Sequence, residues 1–128
     1  MRSQSITLSS GQAGNASVNS KPIDCRQVLN ISLQVVSSAG SLAGTFQLQI
    51  CNVPYVGTVD GFNSTYSPPA AAWTNLGSAL TFAQSSTATS MAVAKTDISN
   101  VAVRVVFTDT SGGSNTATFS TYLNVQGI

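Results

Sequence analysis

Leu29-Asn30-Ile31-Ser32-Leu33-Gln34-Val35 alternates apolar and polar side chains without a break. A period of two puts the four apolar residues on one face and the three polar ones on the other, the pattern of a half-buried β-strand. Phe46-Gln47-Leu48-Gln49-Ile50 reads the same way, as does Val101-Ala102-Val103-Arg104-Val105-Val106-Phe107. The last strong stretch sets Ala117, Phe119, Leu123 and Val125 against Thr118, Ser120, Tyr122 and Asn124. Shorter strands are predicted over 5–9, 16–20, 80–83 and 89–93. No window carries a helical stripe, and Ala70–Ala72 has room for a single turn after Pro68-Pro69.

About eight short strands separated by Gly, Ser and Asn turns predict an all-β fold, an antiparallel β-sandwich of jelly-roll type. At 128 residues the chain fits one domain over its whole length, large enough to bury a core without staples. Two antiparallel hairpins follow from matching inward faces. One sets Phe107 opposite Ala117, Val105 opposite Phe119, Val103 opposite Thr121 and Val101 opposite Leu123. The other sets Val35 opposite Phe46, Leu33 opposite Leu48 and Ile31 opposite Ile50. In the second, Cys51 points outward beside Asn30 and Cys25 has the opposite parity, so two thiols are expected rather than a disulfide. That argument lapses if the two strands lie in different sheets. Arg104 is expected to face outward, near Ser120.

The segments outside the long strands carry their own expectations. Residues 1–20, rich in Ser, Asn and Gly, read as an extended arm able to complete a neighbour's sheet. Residues 52–72 form a loop of about 20 residues, longer than the 12–15 beyond which loops are usually functional or disordered. It holds Tyr55, Phe62 and Tyr66 and leads to Trp73, the one tryptophan. These four aromatics and Arg104 are the candidate contact residues, for a subunit interface or for stacking on a sugar.

Composition narrows the chemistry. Only 7% of the residues are charged, against about 25% in an ordinary soluble domain. There is no His and no Glu, while Ser and Thr together number 34. Without His, the Ser–His and Cys–His dyads and His-ligated zinc are excluded. A net charge of +1 from five scattered cations builds no phosphate-binding stripe, so no nucleic-acid partner is expected. No apolar run has the length of a signal peptide or a membrane span, so neither the usual secretory signal nor a membrane partner is expected. The sequons at Asn15, Asn30 and Asn63 are what this composition yields by chance. Asp109-Thr110-Ser111-Gly112 is a broken version of an aspartic-protease turn and reads as ordinary turn chemistry. Asp24 and Asp60 lack the spacing of a calcium loop. No catalytic residue, metal or cofactor is expected, and the chain is read as a non-enzyme.

Taken together, Ser5-Ile6-Thr7-Leu8, the 29–36 strand and Gly44-Thr-Phe-Gln-Leu-Gln-Ile, then Trp73-Thr-Asn-Leu-Gly-Ser-Ala and the 98–107 strand, resemble in style and spacing the small β-sandwich structural proteins of tailed bacteriophages. The resemblance implies a capsid decoration, or cement, subunit on the surface of the virion. Its partners would be the major capsid protein and copies of itself, with a trimer as the first guess. A tail-associated or coat subunit is the near alternative. A glycan-binding adhesion module using the aromatic loop is the alternative of a different class.

Overall fold

The computed structural model describes residues 3–26, 28–53 and 68–127. Among the described residues, ten strands form two antiparallel sheets. The first contains β1 (Ser3–Ala13), β4 (Val28–Ser37), β8 (Ser90–Lys95) and β10 (Thr118–Gly127), in the order β1-β10-β4-β8. The second has β9 (Ala102–Asp109) and β5 (Leu42–Cys51) at its centre. The short strands β2 (Val18–Asn19) and β3 (Ile23–Asp24) pair with β9, and β6 (Thr74–Asn75) and β7 (Leu80–Gln84) pair with β5.

β2 and β3 are two pieces of one edge strand, interrupted at Lys21-Pro22, where proline cannot donate to the ladder. β6 and β7 likewise form one broken edge, with Gly77 at φ 73° between them. Counting each pair once leaves eight strands. The first pairs with the eighth, the second with the seventh, the third with the sixth and the fourth with the fifth. The chain is thus a long hairpin wrapped around a sandwich, which is a jelly roll.

Both predicted hairpins are corrected by this topology. β9 pairs with β5, setting Phe107 opposite Phe46 and Val105 opposite Leu48. β10 pairs with β4, setting Leu123 opposite Leu33 and Thr121 opposite Val35. So β9 and β10 lie in different sheets, as do β4 and β5. Alternation reports which face of a strand is apolar, and that face meets apolar partners both within a sheet and across the core. Phe107 and Phe119 do meet, with ring centroids 4.7 Å apart, but across the sandwich.

Residues 3–13, expected to form an arm, instead make the edge strand of this chain's own first sheet. Ile6 pairs with Leu123 and Ser5 with Asn124, with irregularities near Ser9 and Gln12. The expected single turn is present at Ala70–Ala72 as one turn of 3₁₀ helix, with Pro69 before it.

The core lies between the sheets. Phe46 sits 4.8 Å from Phe107, 4.9 Å from Phe119 and 5.3 Å from Phe82, centroid to centroid, and all four rings are buried. Each such buried side chain stabilises the fold by roughly 2 kcal/mol relative to exposure. Leu33, Val35, Leu42, Val103 and Leu123 fill the remaining space. Gly44 marks the tightest approach: a β-carbon there would lie 2.6 Å from the Phe107 ring and 2.5 Å from the Thr108 carbonyl oxygen.

Candidate functional site

A second, small apolar cluster lies on the outer face of the β5–β9 sheet. Leu48 and Ile50 of β5 turn inward, so Gln49 and Cys51 turn outward; on β9, Val103 turns inward, and Ala102 and Arg104 outward. Cys51 faces Ala102 across the ladder, and Trp73 covers both. Cys51 therefore has the predicted parity but a different setting. It is buried beneath tryptophan and lies beside Ala102, not Asn30.

Cys25 follows Asp24, which pairs with Ala102, and turns into the main core. The two sulfurs thus belong to opposite faces of one sheet, and no disulfide joins them. Burial and the adjacent Asp24 carboxylate push the Cys25 thiol up to about 12. It is protonated, and unreactive as a nucleophile, at neutral pH.

Trp73 positions Arg104. The guanidinium carbon stands 4.4 Å from the indole centroid, a cation–π stack. Arg104 Nε donates to Gln49 Oε1 at 3.0 Å, and Gln49 Nε2 donates to Asn75 Oδ1 at 3.0 Å. These three residues occupy one row of the sheet, since Gln49 pairs with Arg104 on one side and Asn75 on the other. Partial burial lowers the Arg104 pKa from its ordinary value, opposed by Cys51, yet an arginine remains cationic at any working pH. Among the described residues, Arg26 pairs with Asp24 at 3.1 Å, and no carboxylate forms an ion pair with Arg104. The outcome is a cation fixed by stacking and by one hydrogen bond, with terminal N–H groups that have no partner among the described residues and can meet an incoming acceptor.

Of the five candidate contact residues, the fold brings Trp73 and Arg104 together. Tyr55, Phe62 and Tyr66 lie outside the described residues, as does Asp60. Trp73 is only 8% exposed and has Arg104 over its ring, so little of its face is left for stacking on a sugar. Arg104 neighbours Gln49 rather than Ser120, because β9 and β10 are in different sheets. Gln49 and Asn75 were not singled out from sequence. The outward parity of Gln49 was legible there, but its partner across the ladder was not.

The Asp109–Ser111 turn does the structural work expected of it. The Asp109 carboxylate accepts from the Ser111 N–H at 2.7 Å, the Ser111 hydroxyl at 2.6 Å and the Gly113 N–H at 2.9 Å. Those bonds, led by the two from Ser111, hold its pKa below the ordinary carboxylate value. Among the described residues no group of three potential metal ligands occurs, and no helix is long and apolar enough to cross a membrane. Compared with protein-family models and with curated proteins, the chain matches none.

Proposed function

We propose that this chain is a non-enzymatic structural subunit of a virus particle, of the kind that decorates the head of a tailed bacteriophage. In this reading it works by contact with the major capsid protein and with copies of itself. The observation that carries the reading is Arg104: one fixed cation, without a carboxylate partner among the described residues, on a sheet face where Asp24 is already paired with Arg26. Arginine and tryptophan are the residues most enriched at the energetic centres of protein interfaces, where other charges are sparse. A guanidinium already held by an indole loses little freedom when it meets a carboxylate or a carbonyl. The jelly roll is compatible with the proposal but does not carry it, since the same architecture serves capsid domains, lectins and cupins. The 7% charge content supports it further, because near-neutral surfaces associate readily.

The test is stoichiometric binding of purified protein to phage heads that lack their decoration. Saturable binding at micromolar concentration is expected, and Arg104→Ala should weaken it by at least tenfold while leaving the thermal midpoint within a few degrees. No binding by the intact protein would end the proposal. Equal binding by Arg104→Ala would move the contact to another face.

A further inference from the structure

The other sheet presents a different surface. On the outer face of β1-β10-β4-β8, the ladder register aligns Ser5, Asn124, Ser32 and Ala94 in one row, and Thr7, Tyr122, Gln34 and Ala92 in the next. Ser3, Gln126 and Asn30 make a third row, and Ser120, Val36 and Ser90 a fourth. None of these side chains is charged. Lys95, the charged residue of β8, pairs with Ile31 and so has inward parity.

This face is not flat. Ser3, Ser5, Ser32, Gln34, Tyr122 and Asn124 line a depression of about 510 Å³. That lies within the roughly 300–1,000 Å³ of small-ligand sites. Tyr122 is 37% exposed at the lining, the largest apolar surface there.

The hydrogen-bonding groups are partly spent and partly open. Ser3 Oγ donates to Asn124 Oδ1 at 2.9 Å, which fixes the amide and leaves its Nδ2 as a donor. Gln34 Nε2 donates to Ser90 Oγ at 2.9 Å, which leaves Gln34 Oε1 as an acceptor. Among the described residues the Ser5 and Ser32 hydroxyls have no hydrogen-bond partner, and each can donate or accept.

We infer that this depression is a binding site for a neutral oligosaccharide, with Tyr122 under a sugar ring and Asn124, Gln34, Ser5 and Ser32 on its hydroxyls. A sugar hydroxyl is donor and acceptor at once, and it meets its match in hydroxyl and amide side chains. A saccharide ring has one apolar C–H face, which an exposed aromatic ring covers. Among the described residues of this face an anionic glycan finds no cation, and a protein partner finds only Tyr122 and Val36 as large exposed apolar side chains, where an interface core needs contiguous apolar area. None of the site's residues belongs to the 52–72 segment, and the site lies on the sheet opposite Arg104. It therefore stands or falls independently of the capsid-binding proposal.

The experiment uses the full chain on an array of neutral and acidic oligosaccharides, followed by titration of the best neutral one with amide chemical shifts as the readout. Retention on at least one neutral oligosaccharide is expected, with shifts clustered at Ser5, Ser32, Gln34, Tyr122 and Asn124. Affinity should change less than twofold between 0.05 and 0.5 M NaCl, since no ion pair forms. Tyr122→Ala and the isosteric Asn124→Asp should each lower affinity at least tenfold, while Thr81→Ala, on the other sheet, leaves it unchanged. Tyr122 and Asn124 are exposed, so both variants are expected to fold, and an unaltered amide spectrum away from the site verifies this. The inference is overturned if no neutral oligosaccharide binds at millimolar concentration, or if acidic glycans bind in its place with strong salt dependence. It is equally overturned if Tyr122→Ala alters self-association but not glycan binding.

Discussion

The two ends of the sandwich each bury an asparagine at 8% exposure, and the two are satisfied very differently. At the end where β9 passes to β10, Asn115 Nδ2 donates to the Gly14 carbonyl at 2.8 Å, the Ala43 carbonyl at 3.0 Å and Asp109 Oδ1 at 3.1 Å. Its Oδ1 accepts the Ala43 N–H at 2.8 Å. One side chain thus ties the crossover to β5 and to the link after β1. Nearby, Ser37 donates to Gln84 Oε1 at 2.6 Å, and Gln84 Nε2 donates to the Ser38 and Gly40 carbonyls. At the other end, Asn100 Nδ2 reaches the Ala102 carbonyl at 2.7 Å, but its buried Oδ1 has no partner among the described residues. A hollow of about 540 Å³ opens beside it, lined in part by Cys25, Asn52, Asp97 and Val101. Asp97 there holds a positive φ of 56°, uncommon outside glycine. One end is closed by saturated hydrogen bonding. The other keeps an unpaired acceptor and lies near the Trp73–Arg104 stack, so stability and contact chemistry are spatially divided.

The sharpest way to break that contrast is to remove the two asparagines in turn. Asn115→Ala strips the Ala43 N–H and the Gly14 carbonyl of their side-chain partner in a buried setting, while the Ala43 carbonyl keeps the Thr110 N–H, and should cost about 3 kcal/mol in urea denaturation. Asn100→Ala removes one bond together with an already unsatisfied oxygen, and should cost under about 1 kcal/mol. Equal losses would show that the two ends are alike. Gly44→Ala, at the closed end, forces a methyl into the Phe107 ring and the Thr108 carbonyl. It should destabilise the fold by about 2 kcal/mol, read as a lower thermal midpoint.

The smallest expected effect is electrostatic. The folded-state pKa of Asp109 is lowered from 3.8, so its hydrogen bonds contribute stability that is present above that value. This contribution is lost as the pH falls from about 4 through the lower folded pKa. Asp109→Asn should therefore flatten the acid limb of stability against pH. A variant as acid-sensitive as the parent would remove Asp109 from the account. Cys25 works in the opposite direction, on the alkaline side. Its unfolded thiol ionises near 9.0 while the folded one holds its proton to about 12, so this group makes stability fall as pH rises through that interval.

Much of the fold was legible because strand alternation is local. Leu33, Val35, Phe46, Leu48, Val103, Val105, Phe107, Phe119 and Leu123 all face inward as their periodicity requires. Pairing was not legible. Phe107 matches Phe46 in the ladder and also meets Phe119 across the core, and parity is identical in both relations. The candidate site was half legible. Trp73 and Arg104 stood out by rarity, one as the sole tryptophan and the other as the one charge within a long strand. Their juxtaposition depends on a 3₁₀ turn at Ala70–Ala72 delivering Trp73 onto the β5–β9 face. The outer-face depression was hidden for the same reason, since Ser5, Ser32 and Asn124 become neighbours only when β10 inserts between β1 and β4.

By itself, the sequence determined most of the strands, the inward faces of β4, β5, β9 and β10, and a surface of hydroxyls and amides with few ions. These are local properties, set by residue type and a period of two. Tertiary structure alone decided which strands share a sheet, and with that the nested jelly-roll pairing, the covering of Cys51 by Trp73 and, among the described residues, the neutrality of one sheet face. Those outcomes depend on contacts between residues far apart in the chain. Several pairings satisfy the same alternation, and the burial of four phenylalanines at one place, with loop crossings fixed by Asn115 and Asp109, selects among them.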